Sequence, residues 1–254
     1  MPSAPIIAAL GLPPGSLVAQ RVPKKLLIEQ GTPAAGDKKQ VQDGLDELIW
    51  HAALKPTNIG VPAFTDGTRD YLEIAVLVAT LRPLAKRARL VELIHRAIPY
   101  PVLLITQQSD CATVSLAHKR WSQGEAGKVV LDDTVVSTEP LHPTRPLPEN
   151  TAFLAGLSIT GQPSVNLYAL YHGWLARVTA LLAAGITGRV DGVAEPIGGH
   201  EARRAALAEH GRLSAELAGL RATAAKEKQF SRRVELNLAV RCLETHLRTL
   251  AASL

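Results

Sequence analysis

Apolar and polar positions are most clearly ordered between Tyr100 and Asp133, where three short runs follow one another with polar connections between them. Val102 to Ile105 is apolar at every position, the pattern of a strand covered on both faces. Ala112 to His118 alternates and follows a Gln-Ser-Asp turn, so the first two runs predict an antiparallel hairpin. The third run, Lys128 to Leu131, comes after a loop holding Gly124 and Gly127. Upstream, Asp37 as N-cap predicts a helix to about Leu54, stopped by Pro56, with Val41, Leu45, Leu48, Ile49 and Ala52 on one face. Asn58 to Ala63 and, beyond an Asp66-Gly67 turn, Asp70 to Thr80 predict two more strands, the second deeply buried. Pro83 opens a helix through Leu84 to Ile98, whose buried side is Leu90, Val91, Leu93, Ile94 and Ile98; Pro99 and Pro101 end it. This order predicts an α+β domain over residues 1–140, a mostly antiparallel sheet with helices on one face.

Beyond it the pattern becomes helical. Pro140, Pro143, Pro146 and Pro148 mark a semi-rigid linker, and Asn166 to Ala184 predicts a helix with Leu167, Leu170, Tyr171, Trp174, Leu175, Val178, Leu181 and Leu182 on its apolar side. Gly185, Gly188 and Gly192 loosen the chain again, closing a second segment, 141–199. From about His200 no proline occurs, and the pattern stays helical to the C-terminus. Leu236, Val240, Leu243, Leu247, Leu250 and Leu254 step alternately by four and three, the seam of a coiled coil; Leu213, Leu217 and Leu220 begin a similar stripe, with Gly211 and Gly219 as weak points. Unbroken, segment 200–254 would be a helix of about 75 Å, too long for a domain of this size to cover. Its seam, centred on Leu236, Val240, Leu243, Leu247 and Leu250, therefore predicts packing on a second copy or on a partner protein.

Composition narrows the function classes. Hydrophobic residues make up 46% and aromatics only 4%, so a sizeable core must be built from Leu, Val, Ile and Ala. The net charge of +5 is concentrated at the end: from Glu201 onward 10 Lys or Arg face 6 Glu, against 18 and 17 before it. That asymmetry points to an acidic partner for the tail, or to a solvated basic face. Cys111 and Cys242 stand far apart, without disulfide or metal-ligand spacing, which fits a reducing cytoplasm; no metal and no cofactor are predicted. The Ile6 to Leu12 run is broken by Gly11 and followed by Pro13-Pro14, so it reads as part of the mature protein. Leu175 to Ile186 carries Arg177 and is too short to span a bilayer, so no membrane partner is expected.

Candidate chemistry is sparse. Gly124 to Lys128 imitates a phosphate loop, but Val129 stands where Ser or Thr is required and a strand follows. Arg21, Lys24 and Lys25 surround Pro23 in a stiff basic segment, and His118, Lys119 and Arg120 sit where the second strand of the hairpin ends; these six are the candidates for nucleic-acid contact, or a basic rim. Asp70, Glu73 and Asp110 with Lys119 are the residue types of a metal-dependent nuclease, yet no compact signature joins them, and Glu73 also reads as an ion-pair partner. No elbow motif supports Ser/His/Asp catalysis.

Arg21-Val-Pro-Lys-Lys25, Tyr71-Leu-Glu-Ile-Ala-Val-Leu77, Leu93-Ile-His-Arg-Ala-Ile-Pro-Tyr-Pro101 and Ser115-Leu-Ala-His-Lys-Arg-Trp-Ser122 carry a resemblance. In these stretches the chain resembles the bacterial domain-of-unknown-function 4391 family. The resemblance implies genomic company with helicases and DNA methyltransferases of type III restriction-like or phage-defence modules, and it brings no catalytic residues with it. The expectation is a cytoplasmic, non-enzymatic accessory subunit that binds a helicase or methyltransferase partner, or itself, through the C-terminal helix, with DNA as a further partner. The alternative is a nuclease subunit of the same system.

Overall fold

The computed structural model describes residues 1–31, 34–125, 127–190 and 200–254. Pro5 in the first turn and Gly11 in the left-handed conformation (φ 61°) bound a short helix, α1 (Ala4–Leu10). β1 (Leu17–Arg21), α2 (Lys24–Gly31), α3 (Ala35–Gly44) and β2 (Leu45–Leu54) follow. Then come α4 (Pro56–Ile59), the small hairpin β3 (Phe64–Thr65) and β4 (Asp70–Tyr71), β5 (Ile74–Leu81) and α5 (Arg87–Ala97). β6 (Val102–Gln108) and β7 (Cys111–Leu116) form the expected antiparallel hairpin, turned by Ser109 at φ 57°. β8 (Lys119–Trp121), β9 (Val129–Leu131) and β10 (Val136–Ser137) precede α6 (Pro148–Ala155), α7 (Leu167–Thr187), α8 (His200–Lys226) and α9 (Phe230–Ala252).

Six strands make the main sheet in the order β1-β2-β5-β6-β7-β10, and only the β5/β6 pair is parallel, as its α5 crossover requires. The α+β, mostly antiparallel class is thus the observed one. β5 is apolar at every position but Thr80, and β6 from Val102 to Ile105, because both faces are covered there. Ala75, Leu77, Ala79 and Leu81 share a core with Leu27 of α2, Val41 of α3 and Leu90, Leu93 and Ile94 of α5. Helical segments lie on the other face too: Ser3, at the start of α1, donates to Gln107 Oε1 of β6 (3.0 Å). Tyr171 of α7 donates to Val102 O (2.8 Å) and accepts from Ala117 N (2.8 Å), tying α7 to the ends of β6 and β7.

Three expectations change. The helix from Asp37 stops at Gly44, and Leu45–Leu54 is a strand between β1 and β5. A side chain at Gly44 would meet Leu90 Cδ1 at 2.9 Å, so the chain turns there against α5 and delivers the next ten residues to the sheet. Asn58 to Ala63 is not a strand; α4 occupies its start, and the Asp66-Gly67 turn instead joins β3 to β4. The third run of the opening stretch pairs with β8 in a separate two-stranded sheet rather than extending the hairpin.

The chain divides into two compact units, Met1–Val178 and Thr179–Leu254. In the second, the long helix expected from His200 is broken at Glu227–Gln229 into α8 and α9, not at Gly211 or Gly219. Residues 226–229 are all charged or amidic, so leaving the helix there strands no apolar side chain, and the Glu227 carboxylate accepts from Gln229 N (2.8 Å). The two helices fold into a hairpin, with Arg221 of α8 and Glu244 of α9 2.7 Å apart. Gly192, read with Gly185 and Gly188 as loosening the chain, lies outside the described residues; Gly185 is inside α7. No helix among the described residues is long and apolar enough to cross a membrane.

Candidate functional site

Strand parity separates Lys119 from Arg120, two of the three residues proposed as one basic rim. Lys119 of β8 turns inward and is only 2% exposed. Its ammonium donates to His95 O and to Ile98 O (2.9 Å), the free carbonyls at the end of α5, where the helix dipole favours a cation. Burial works against that charge and pulls the Lys119 pKa down to about 7. His118 is buried as well: Nδ1 lies 2.5 Å from the Tyr71 hydroxyl, and the ring stacks on Tyr168 (5.0 Å between centroids) and His172 (5.7 Å). Arg120 points the opposite way from Lys119 and pairs with Asp132 (3.1 Å), which also holds Arg69 (2.7 Å). His118 and Lys119 are therefore buried and held by protein groups, and Arg120 is already paired.

The segment Arg21, Lys24 and Lys25 remains at the surface. Arg21 closes the exposed edge strand β1 and lies 3.8 Å from Glu47; Lys25 lies 3.6 Å from Glu29 one helical turn on; Lys24 donates to Gln42 O (3.3 Å). These long, solvated contacts are weak and leave the cations able to meet an anionic partner.

The carboxylates proposed for a nuclease do not converge. Asp70 Oδ1 accepts from Thr65 Oγ1 (2.6 Å) across the β3/β4 hairpin, and Glu73 pairs with Lys55 (3.1 Å). Asp110 lies in the β6/β7 turn beside His142 (3.5 Å). Because β5 and β6 run parallel over seven paired residues, Glu73 before one and Asp110 after the other sit at opposite ends of the sheet, more than about 20 Å apart. Among the described residues no group of three His, Cys, Asp or Glu could hold a metal ion.

Two features escaped the sequence reading. One is the aromatic cluster of Phe64, Tyr71, Tyr168 and Tyr171 around His118, with Arg69 5.7 Å from the Tyr168 ring centroid. It draws on segments a hundred residues apart, so nothing local signals it. The other is a cleft of about 250 Å³ between β8 and the end of α5, where Leu72, Tyr100 and Trp121, each more than a third exposed, line one space with the site candidates Asp70, Lys119 and Arg120.

The remaining candidate lies in the second unit. Along α9 and just past its end, Leu236, Val240, Leu243, Leu247, Leu250 and Leu254 are all partly exposed, while Leu213, Leu217 and Ala224 of α8 are buried. The opposite side of α9 carries Phe230, Val234 and Leu238 at 71, 42 and 60% exposure. Their i, i+4, i+8 spacing was visible in the sequence, overshadowed there by the longer leucine repeat.

Compared with known protein families, the chain matches the family described as Domain of unknown function (DUF4391) over residues 10–247, nearly its whole length. No curated protein and no solved structure matches.

Proposed function

We propose that this chain, which belongs to the Domain of unknown function (DUF4391) family, is a non-catalytic accessory subunit that docks on a partner protein through its C-terminal helical hairpin. The partner in this reading is the helicase or methyltransferase of a restriction-like or phage-defence module. One observation carries the docking role: none of the apolar seam positions of α9 is fully buried, each keeping part of its surface exposed although α8 already lies against the helix. Seam residues of a completed coiled coil fill holes between facing residues and lose nearly all their exposure. In this reading the apolar surface left exposed along the seam is where a further helix packs. The dispersal of Asp70, Glu73 and Asp110 supports a binding role over the nuclease alternative, which needs carboxylates within reach of one metal ion. Arg21, Lys24 and Lys25 supply a basic surface for DNA beside the partner contact.

The test is co-expression with a helicase and a methyltransferase of such a module from the same genome, followed by affinity purification and size-exclusion chromatography. The wild-type chain should elute with one of them, and Leu243→Asp with Leu247→Asp should break the complex. Circular dichroism controls for hairpin folding, and Leu243→Ala with Leu247→Ala serves if the aspartates unfold it. A chain that elutes alone from both would end this reading, and metal-dependent DNA cleavage lost in Glu73→Gln would replace it with the nuclease one. For the DNA contact, Lys24→Glu with Lys25→Glu should weaken duplex binding and flatten its log-log salt dependence by about two. Unchanged affinity removes that contact.

A further inference from the structure

The outer side of α9 carries information about what the partner looks like. At 3.6 residues per turn, Phe230, Val234 and Leu238 lie about 160° round the helix from the seam, so α8 cannot cover both. Arg241 and Arg248 continue the same side, both exposed, and the Arg233 guanidinium lies 5.8 Å from the Phe230 ring centroid. No described ion pair involves Arg233, Arg241 or Arg248. The carboxylates of α9 leave these cations uncompensated: Glu244, between Arg241 and Arg248 on the helix surface, is bound to Arg221 of α8, and Glu235 lies on the opposite flank of the stripe from Arg233. The face is therefore an apolar stripe of about 12 Å joined to Arg241 and Arg248 and flanked by Arg233, with its nearest carboxylate, Glu244, already bound to Arg221, spanning about 27 Å in all.

Two occupants fit that surface badly. A second copy of the chain would set arginine row against arginine row, with a local excess of cations in each hairpin, and like charges opposed across an interface cost affinity. Duplex DNA would satisfy the arginines but leave Phe230, Val234 and Leu238 against phosphate and sugar, with no apolar surface to bury them. An acidic amphipathic helix covers both parts at once, its apolar stripe on the three exposed side chains and its carboxylates on the arginines. We infer that the outer face of α9 is the docking site for an acidic amphipathic helix of the partner protein. This rests on the proposal that the hairpin is a partner-binding element, and it names the partner's chemistry.

The probe is a fluorescein-labelled synthetic helix with leucines at i, i+4 and i+8 flanked by glutamates, compared with the same peptide carrying lysines, and read by anisotropy against the full-length chain. The glutamate peptide should bind, more weakly as salt rises, and the lysine peptide should not. Arg233→Glu with Arg241→Glu and Arg248→Glu should weaken the glutamate peptide by about tenfold or more and admit the lysine peptide. Leu238→Asp should weaken either; all four positions are exposed, so melting temperature should hold. Equal binding of both peptides, or arginine-dependent binding only to duplex DNA or to phosphatidylserine vesicles, overturns the inference. In the co-purification assay the two proposals separate. A complex broken by the seam aspartates and untouched by arginine reversal keeps the docking role and removes the acidic helix. Peptide binding without any co-purifying subunit does the reverse.

Discussion

Replacing Lys119 by Met tests whether this residue is a buried helix cap rather than a surface cation. Its ammonium lies beneath β8 with two backbone carbonyls and, among the described residues, no carboxylate as partners, and burial lowers its pKa from 10.5 to about 7. Between those values the folded chain binds fewer protons at this site than the unfolded chain, so stability must rise with pH across that window. Near pH 7 the folded site is about half protonated, and integrating from pH 7 to pH 9 gives a gain of about 2 kcal/mol. Lys119→Met removes the titrating group while keeping most of the stem's volume, at the cost of leaving His95 O and Ile98 O without their donor. At one pH these effects oppose each other: unsatisfied buried carbonyls cost about 1–3 kcal/mol, and relief of a buried charge returns a comparable amount. The difference between pH values is the informative quantity. Urea unfolding at pH 7, 8 and 9 should show the wild-type free energy climbing and the variant's staying level. A wild-type protein flat across that range, or a variant with the same slope as wild type, would place the ammonium in water and refute the capping role.

Two further substitutions check the packing that positions this region. In Gly31→Ala a new Cβ would stand 2.8 Å from Ala97 Cβ and 3.0 Å from Leu93 O, forcing α2 off α5 at a cost of about 1–3 kcal/mol in a urea melt. Gly36→Ala, which meets nothing within 4 Å, should be neutral or stabilising by up to about 1 kcal/mol, so equal effects at the two glycines would refute the close approach. Tyr171→Phe should lose about 1–3 kcal/mol by leaving the buried Ala117 N–H and Val102 carbonyl without the hydroxyl. A loss below about 0.5 kcal/mol would mean that the hydroxyl does not join α7 to the sheet.

Periodicity and parity are local, and what they govern was readable from the chain alone. The β6/β7 hairpin, the apolar β5, the amphipathic α5, the apolar side of α7 and the leucine seam near the C-terminus all follow from neighbours within a few residues. The α+β class and the basic bias of the last segment come from the same level. The stretch Leu45–Leu54 shows where such reasoning ends. Leu45, Leu48, Ile49 and Ala52 suit one side of a helix, yet the open place between β1 and β5 takes them as a strand, because pairing a ten-residue backbone on both edges outweighs local preference. Parity predicts that Lys119 and Arg120 diverge, but only the position of the α5 C-terminus, brought beneath β8 by the parallel crossover, decides which of the two is buried and what it binds. Likewise the leucine repeat announces a seam without saying that the chain turns at Glu227–Gln229 and covers it only in part with its own α8. Each of these outcomes depends on groups far apart in sequence meeting in space, and burial, which sets the energy of a charge or a leucine, exists only once they have met.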